Sequence, residues 1–319
     1  MSQAPDIARA VENVVRDCMG VREGEDVLVV ANPATLGLGE RLRGAAGRAG
    51  ADAVMALMAE RASHAAEPPA PVAAAMREAD VVLAPTVQSL SHTASRKAAS
   101  EAGARIATLP GVTEDQLARL MSADMEELRR RGHAIAAVLD AGEEATITCA
   151  NGSDLRLSLR GRKAIPDAGE LTEPGAFGNL PCGEGFISPD DGDCEGTLVI
   201  DGTIATVGIP AEPVKLTVSA GRLVDATGPE GARLMELLGA HGPDGLTIAE
   251  LGIGTNERAE LTGQIIEDEK LLGTAHVAFG ASEAIGGRIQ VPVHLDSVVM
   301  KPVVAVDGQV IVRDGELLL

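Results

Sequence analysis

Residues 26–31 have the sequence Asp26-Val27-Leu28-Val29-Val30-Ala31, a short run in which every residue after the first is apolar. Similar apolar runs alternate with stretches of helical periodicity as far as residue 109, at 36–49, 52–57, 80–84, 94–103 and 104–109. Continuous apolar strands separated by helices are typical of a parallel sheet that is covered on both faces. The pattern predicts a doubly wound parallel α/β domain in the N-terminal part of the chain.

A helical stretch at 113–141 is predicted to connect this domain to the next one. Thr113 can cap it, Glu114 and Asp115 occupy the first turn, where the helix dipole favours negative charge, and Gly142 can close the far end. We therefore predict one domain over residues 1–140, including this connecting helix, and a second over 141–319.

After Gly142 the pattern changes to short strands separated by tight turns. Dipeptides that favour hairpin turns recur, mostly between β-branched or apolar runs, at Asn151-Gly152, Asp201-Gly202, Asp307-Gly308 and Asp314-Gly315. Helices are expected at 229–240 and 265–272. The second domain is predicted to be a mainly antiparallel α+β unit.

Composition limits the classes of partner. The 319 residues carry 27 Lys and Arg against 47 Asp and Glu, a formal net charge of -20, which disfavours binding to nucleic acid or to an anionic bilayer. No apolar run reaches the ~20 residues that cross a membrane. We expect a cytoplasmic protein that acts on a small molecule or a peptide.

Cysteine and aromatic residues are scarce. Four cysteines without a CxxC pair indicate neither a disulfide scaffold nor a zinc knuckle. Trp and Tyr are absent and Phe occurs three times, so the core must be aliphatic and no tyrosine hydroxyl can take part in catalysis.

The second half contains five side chains that suit a divalent ion, namely Glu184, Glu250, His276, His294 and Asp296. Such an ion needs oxygen or imidazole donors from different parts of a fold, and most of these residues stand at the ends of apolar runs. His294 and Asp296 are two residues apart, so on a strand both point to one face, where a cation would satisfy both. The pattern predicts a metal site, and leaves the metal's identity open.

Taken singly, these residues have plainer explanations. A lone strand histidine such as His276 is more often a hydrogen-bonded core residue than a ligand. Glu184 follows Gly183 in a Gly- and Pro-rich segment, where a carboxylate is usually solvated. Residues 251–256 can also be interpreted as a phosphate-binding loop, but the third glycine and the lysine of such loops are missing.

One residue of the first domain is a further candidate. His92 lies in Ser91-His92-Thr93, beyond the carboxyl end of a predicted strand, where doubly wound folds place ligands. It can therefore line a substrate cleft. A local helix cap by Ser91 or Thr93 explains the same segment and is the favoured interpretation.

Four ordered blocks of the second half resemble the signature sequences of the aminopeptidase T family, also called thermophilic metallopeptidases. The blocks are 179–184, 248–256, 272–280 and 294–296. The resemblance implies a two-domain homodimer with a pair of divalent ions, usually zinc or cobalt, with iron(II) or manganese as other options. It also implies that Glu184, Glu250, His276, His294 and Asp296 are the ligands. Glu250 would bridge the ions, and Glu184 would be either a ligand or a general base.

The chain also departs from the peptidase pattern. Glu283 stands where these peptidases carry a tyrosine that is thought to stabilise the tetrahedral intermediate, and Ile289 and Val291 replace an Asn and a Ser. Cys182, two positions before Glu184, is either a soft ligand or a compact filler. Cys182 and Glu283 are therefore possible residues of a substrate cleft.

Three functions fit this resemblance. The main expectation is a metal-dependent aminopeptidase-like hydrolase. The first alternative is an iron(II)-dependent ring-cleaving dioxygenase of a dihydroxypyridine-like substrate, in which His276, His294 and Asp296 would form a facial triad. The second alternative is a non-catalytic dimer that binds a metal or a small ligand.

Overall fold

The computed structural model describes residues 6–319, which form two compact units. Of these residues, 6–125 and 169–182 form one unit, and 126–168 and 183–319 form the other. The long helix predicted to belong to the first domain is thus grouped with the second unit. A short segment from the middle of the chain, 169–182, returns to the first.

The strands, numbered along the chain, are β1 Asp26–Ala31, β2 Asp52–Leu57, β3 Val81–Ala84, β4 Arg105–Thr108, β5 Glu144–Thr148, β6 Asp154–Ser158, β7 Ala164–Asp167, β8 Phe177–Asn179, β9 Glu184–Ile187, β10 Cys194–Ile200, β11 Val214–Ser219, β12 Arg222–Ala226, β13 Ile248–Gly254, β14 Ala275–Gly280, β15 His294–Val299, β16 Val303–Val306, β17 Gln309–Arg313 and β18 Glu316–Leu317.

The α-helices are α1 Ile7–Glu12, α2 Leu36–Arg48, α3 Ala70–Glu78, α4 Ala94–Glu101, α5 Glu114–Leu120, α6 Met125–Ala141, α7 Gly228–Gly239, α8 Gly242–Gly245 and α9 Ile265–Asp268. A π-helical segment, Asn13–Cys18, continues α1, and 3-10 turns occur at Pro33–Thr35 and Glu283–Ile285. Within residues 6–319, every helix is too short or too polar to cross a bilayer.

The first unit contains the predicted parallel sheet, with strand order β2-β1-β3-β4-β8. Its inner strands β1, β3 and β4 are buried almost throughout. In a parallel sheet that helices cover on both faces, the side chains on either side of a strand point into a core. The edge strand β8 comes from the segment 169–182. At three residues, it is too short to be recognised from periodicity.

The predicted connecting helix is interrupted. Thr113 caps α5 as expected, in a capping box with Gln116, but α5 ends at Leu120 and α6 starts at Met125. Ser122 lies in the break and donates its hydroxyl hydrogen to the carbonyl of Arg119 at 2.7 Å. Short polar side chains such as Ser122 and Asp124 compete for backbone hydrogen bonds in this way, which explains the interruption.

The second unit contains an antiparallel sheet of order β12-β11-β10-β6-β5-β16-β17-β18. Three of the predicted turn dipeptides join neighbouring strands in it, at Asn151-Gly152, Asp307-Gly308 and Asp314-Gly315. The prediction for Asp201-Gly202 is wrong. That dipeptide opens a longer connection between β10 and β11, and the amide of Gly202 donates to the carbonyl of Val298 on β15.

A second antiparallel sheet, of order β15-β14-β13-β9-β7, carries the candidate site. One of its faces packs into the large apolar core of the unit through Leu251, Ile253, Val277, Phe279 and Val299. A bulge interrupts β13 between Ile248 and Glu250. Since side chains alternate along a strand, the even-numbered residues of β14, β15 and of β13 from Glu250 onward lie on the opposite face. We call this second face the site face.

The helix predicted at 265–272 is short, and α9 covers only four residues. Around it, residues 256–270 form a loop held by buried carboxylates. Asp268 is fully buried and accepts hydrogen bonds from the amides of Thr262 and Gly263 and from the hydroxyls of Thr262 and Thr203. These side-chain contacts replace the backbone bonds of a longer helix. The helix predicted at 229–240 corresponds to α7.

Candidate metal centre

All five predicted ligands lie on the site face. Glu184 begins β9, Glu250 lies within β13, His276 is the second residue of β14, and His294 and Asp296 begin β15. His276 is fully buried, Glu184 and Glu250 are 7% exposed, and the side chain of His294 is 30% exposed. The site is therefore a buried polar cluster that is most accessible at His294.

Small residues separate the ligands on this face. Ala278 lies between Glu250 and Asp296 in the strand register, and Gly252 lies opposite His276. A Cβ atom on Gly252 would be 2.0 Å from Nε2 of His276. Gly254 pairs with Glu184 and Gly280 with His294. The imidazoles and carboxylates can lean together only because these positions have little or no side chain.

The ligand atoms converge on Glu250. One carboxylate oxygen of Glu250 lies 3.3 Å from Nε2 of His276, and the other lies 3.4 Å from Nε2 of His294. Nε2 of His294 is also 3.4 Å from Asp296, and Nε2 of His276 is 3.1 Å from Oε2 of Glu184. Two groups result, Glu184 with Glu250 and His276, and Glu250 with His294 and Asp296, and each could hold an ion.

Unpaired buried atoms support a cation at this site. Oε2 of Glu184 is buried and has no hydrogen-bond donor, although it lies beside the imidazole of His276. Buried carboxylate oxygens without a donor are costly, and a cation removes the cost. Imidazole nitrogens and carboxylate oxygens are also the donors that first-row divalent metals accept. The residues present therefore fit a bound divalent ion.

A backbone carbonyl fixes the orientation of the His294 ring. Its Nδ1 lies 2.7 Å from the carbonyl oxygen of Ala281. A carbonyl can only accept, so Nδ1 carries the hydrogen and Nε2 is left to face the carboxylates. Metal-bound histidines commonly have such a partner, because it sets the tautomer and the ring orientation.

Burial and mutual attraction shift the pKa values of these groups strongly. Burial opposes the charged form of His276 and His294, but neighbouring Glu184, Glu250 and Asp296 outweigh it and raise both histidine pKa values well above 6.5. Burial likewise opposes ionisation of Glu184, yet Lys270 and His276 hold its pKa at about 2. Without an ion, protons on the imidazoles thus supply part of the positive charge that the carboxylates require.

Three further charged residues adjoin the centre and were missed in the sequence. Lys270 has a side chain that is 1% exposed, and its ammonium lies 2.7 Å from Glu269, 3.0 Å from Glu184 and 3.9 Å from Asp167. Burial raises the pKa of Asp167 to about 7 and that of Glu269 to about 8. The run Glu267-Asp268-Glu269-Lys270 was the available signal for two of them, but only a helix at 265–272 was predicted there, and no role was assigned to its charges.

The other candidate residues belong to neither of the two ligand groups found among the described residues. Cys182 is buried in the first unit. Its sulfur and that of Cys18 both lie within about 3 Å of the position that a Cβ atom on Gly169 would take. Glu283 is exposed on a 3-10 turn. His92 is exposed in the first unit, where the hydroxyl of Thr93 caps α4, as the favoured interpretation of that segment required. Roles for Cys182, Glu283 and His92 in a substrate cleft stay predictions.

A sequence model of the NicX family, described as 2,5-dihydroxypyridine 5,6-dioxygenase, matches residues 6–319. The chain belongs to this dioxygenase family. The 2,5-dihydroxypyridine 5,6-dioxygenase of Pseudomonas putida strain KT2440 is 25% identical over 263 residues, which cover 76% of this chain and 72% of that protein.

Two solved structures share the fold. The 2,5-dihydroxypyridine dioxygenase from Pseudomonas putida KT2440 superimposes with a TM-score of 0.86 at 20% identity, over 100% of this chain and 98% of that one. Wild-type AmpT from Thermus thermophilus gives 0.72 at 18% identity, over 98% and 99%. These similarities confirm the predicted fold class, a parallel α/β domain followed by a mainly antiparallel α+β domain.

The expected aminopeptidase-like hydrolase is wrong as the main assignment. The resemblance to aminopeptidase T holds for the fold, which AmpT shares, whereas the family match is to a dioxygenase. The blocks that carried the resemblance contain the ligands and the glycines beside them. Such blocks report a shared metal-site framework, and they do not distinguish hydrolysis from oxygenation.

Proposed function

We propose that this protein is an iron(II)-dependent dioxygenase that opens the ring of a dihydroxypyridine-like substrate. Membership of the dioxygenase family supports the reaction class. The observation that carries the proposal is that His276 on β14 and His294 and Asp296 on β15 lie on the site face around Glu250, whose carboxylate oxygens lie 3.3 Å and 3.4 Å from the two imidazoles. Two histidines and one carboxylate are the ligand set of non-haem iron(II) oxygenases.

In this proposal His276, His294 and Asp296 hold the iron. When bound, the iron supplies the activation of dioxygen that ring cleavage needs. Glu250 lies between the two imidazoles, so one role for it is to accept a proton from a substrate hydroxyl. Ala281 fixes the imidazole of His294 through its carbonyl, and burial of the cluster excludes bulk water.

The site face also offers an apolar surface to an aromatic ring. Phe186 follows Glu184 by two residues on β9, so the two side chains share this face, and Phe186 pairs with Gly252 in the register. It is half-buried, whereas Phe279 is fully buried in the core and Phe177 lies under the guanidinium of Arg96. Among the three Phe residues of the chain, Phe186 is the one placed to stack on a substrate ring.

Oxygen consumption tests the proposed reaction. Protein reconstituted anaerobically with iron(II) should bind one iron per chain and consume one molecule of oxygen per molecule of 2,5-dihydroxypyridine, with loss of the aromatic absorbance. Zinc-loaded protein is the matched control, because zinc has no redox chemistry, and it should consume none.

Two outcomes would contradict the proposal. The first is iron-loaded protein that consumes no oxygen with any dihydroxylated pyridine or benzene. The second is a stoichiometry of two ions per chain, which the sharing of Glu250 between two ligand groups would then explain.

A further inference from the structure

The loop 256–270 ends in an ammonium group that is almost completely buried. The Lys270 side chain is 1% exposed and is the largest of the fully buried side chains. Removing an ammonium from water is costly, so a buried lysine needs close partners of opposite charge. Lys270 has them in Glu184, Glu269 and Asp167.

The two oxygens of the Glu184 carboxylate have different neighbours. Oε1 accepts a hydrogen bond from Lys270 at 3.0 Å. Oε2 has no donor and lies 3.1 Å from Nε2 of His276, on the metal side of the cluster. A carboxylate that is held at one oxygen keeps the other oxygen in a defined place.

We propose that Lys270 is a positioning residue that fixes Glu184, so that its Oε2 faces the imidazole of His276 and holds this ligand in place for the metal. Lys270 contacts none of the other four predicted ligands in the described contacts, so its effect on the ion passes through Glu184. Glu269 and Asp167 hold the ammonium from its other sides. The inference rests only on the metal-binding part of the proposed function, and it is independent of substrate.

The direction in which metal affinity changes on loss of Lys270 distinguishes a positioning role from a purely electrostatic one. Removing a positive charge near the site would strengthen the binding of a cation if Coulomb attraction alone decided it. Removing a residue that orients a ligand should weaken binding, typically by about 10- to 100-fold. The two explanations therefore predict opposite changes in metal affinity.

A double-mutant cycle on Co(II) affinity tests the proposal. Glu269→Gln serves as the background, because it removes one of the three carboxyl groups around the ammonium, so that Lys270→Met leaves only Glu184 and Asp167 without this partner. In this background we expect Lys270→Met to weaken Co(II) binding about 10- to 100-fold. When Glu184→Gln is also present, Lys270→Met should change the affinity less than about 3-fold, since the two residues act as one unit.

The affinities are measured by competition with a chelating dye, and circular dichroism checks the fold. Should the Lys270→Met variant not fold, Lys270→Gln in the same background replaces it, since two neighbouring amides can hydrogen-bond to each other. Lys163→Met, at a side chain that is 85% exposed, is the matched control and should leave the affinity unchanged.

Unchanged or tighter Co(II) binding on loss of Lys270 would overturn the positioning role, and so would an equal loss in the presence and absence of Glu184→Gln. Wild-type protein that binds no Co(II) would refute this inference together with the metal part of the proposed function. Wild-type protein that binds Co(II) but, when iron-loaded, opens no ring would refute the proposed reaction alone.

Discussion

His294 is the ligand whose loss should be easiest to interpret. It is the most exposed of the five, and its ring contacts Glu250, Asp296 and the carbonyl of Ala281. His294→Ala removes one neutral donor from the ion and leaves the apolar face of β15 intact. We expect metal affinity to fall by more than ~100-fold, beyond the cost of losing an outer partner, with little change in fold.

Elemental analysis after dialysis, together with circular dichroism, measures both effects of His294→Ala. His241→Ala, at an exposed histidine near α8, is the control and should keep its metal. Unchanged metal content in the His294 variant would remove this residue from the ligand set.

Phe186 is predicted to act on substrate and not on metal. Phe186→Ala removes the ring that we expect to stack on a dihydroxypyridine, which should raise KM about 5- to 10-fold, corresponding to the ~1 kcal/mol of an aromatic pair. Phe186→Leu keeps apolar area and should raise KM less. Iron content should be the same in all three proteins. A KM that does not change would place the substrate ring elsewhere.

At the scale of single residues, the sequence singled out five side chains that the fold brings together, and their role as ligands stays a prediction. It missed Lys270, Glu269 and Asp167. The reason is physical: a charged residue on a short polar segment is normally solvated, and only the folded loop shows that Lys270 is enclosed by carboxylates.

Among the elements, β13 sets the space available to the site. A methyl group on Gly252 would fall 2.0 Å from Nε2 of His276, so Gly252→Ala must displace the imidazole. We expect this variant to lose most of its metal affinity and about 1–3 kcal/mol of stability, the usual cost of overpacking. Metal titration and urea unfolding measure the two effects.

The matched control is Gly47→Ala in α2. Gly47 is exposed and a Cβ atom there would meet nothing within 4 Å. Alanine is the better helix former, so this variant should gain about 0.5–1 kcal/mol and keep its metal. If Gly252→Ala bound metal as the wild type does, the imidazole of His276 would not need the space above that glycine.

Long, strongly patterned elements were predicted well and short ones were not. Strands β1 and β3 stand out because they consist almost entirely of apolar residues. The helix break at residues 121–124 and the three-residue strand β8 do not, since each depends on local side-chain bonds or on pairing with a distant strand. The loop 256–270 is ordered by Asp268, which periodicity cannot reveal.

For the whole molecule, the buried charges predict a stability that depends on pH and metal together. The raised pKa values of His276 and His294 stabilise the ion-free fold fully below about pH 6.5, and that contribution is lost as the pH rises through their folded values. Asp167 and Glu269, with folded pKa values of about 7 and 8 against ordinary values of 3.8 and 4.5, act in the same direction.

The ion-free protein should therefore lose thermal stability between about pH 6 and pH 9, whereas the metal-loaded protein should lose less. Imidazoles must release their protons to bind metal, so the rise in Tm on adding Zn(II) or Co(II) should grow with pH. Thermal unfolding with metal or with a chelator, across this range, gives both curves. A metal-induced gain that is the same at pH 6 and pH 9 would contradict the assignment of protonated histidines.

Of the properties predicted from the sequence, the reaction was predicted least well. The motifs around Glu184, Glu250 and His276 predict a metal site, and the fold that carries them is shared with AmpT and with a dioxygenase. Replacement of the peptidase tyrosine by Glu283 pointed away from hydrolysis, and the family match agrees. Chemistry depends on the ion and the substrate, and motif spacing encodes neither.

The row of glycine and alanine on the site face has a practical consequence for altering substrate preference. The imidazole of His276 fills the space above Gly252, so a larger residue there displaces the ring, and no smaller residue exists. Variants intended to admit bulkier aromatic compounds should therefore be sought in the surrounding loops and at Phe186, while the strands that bear the ligands are left untouched.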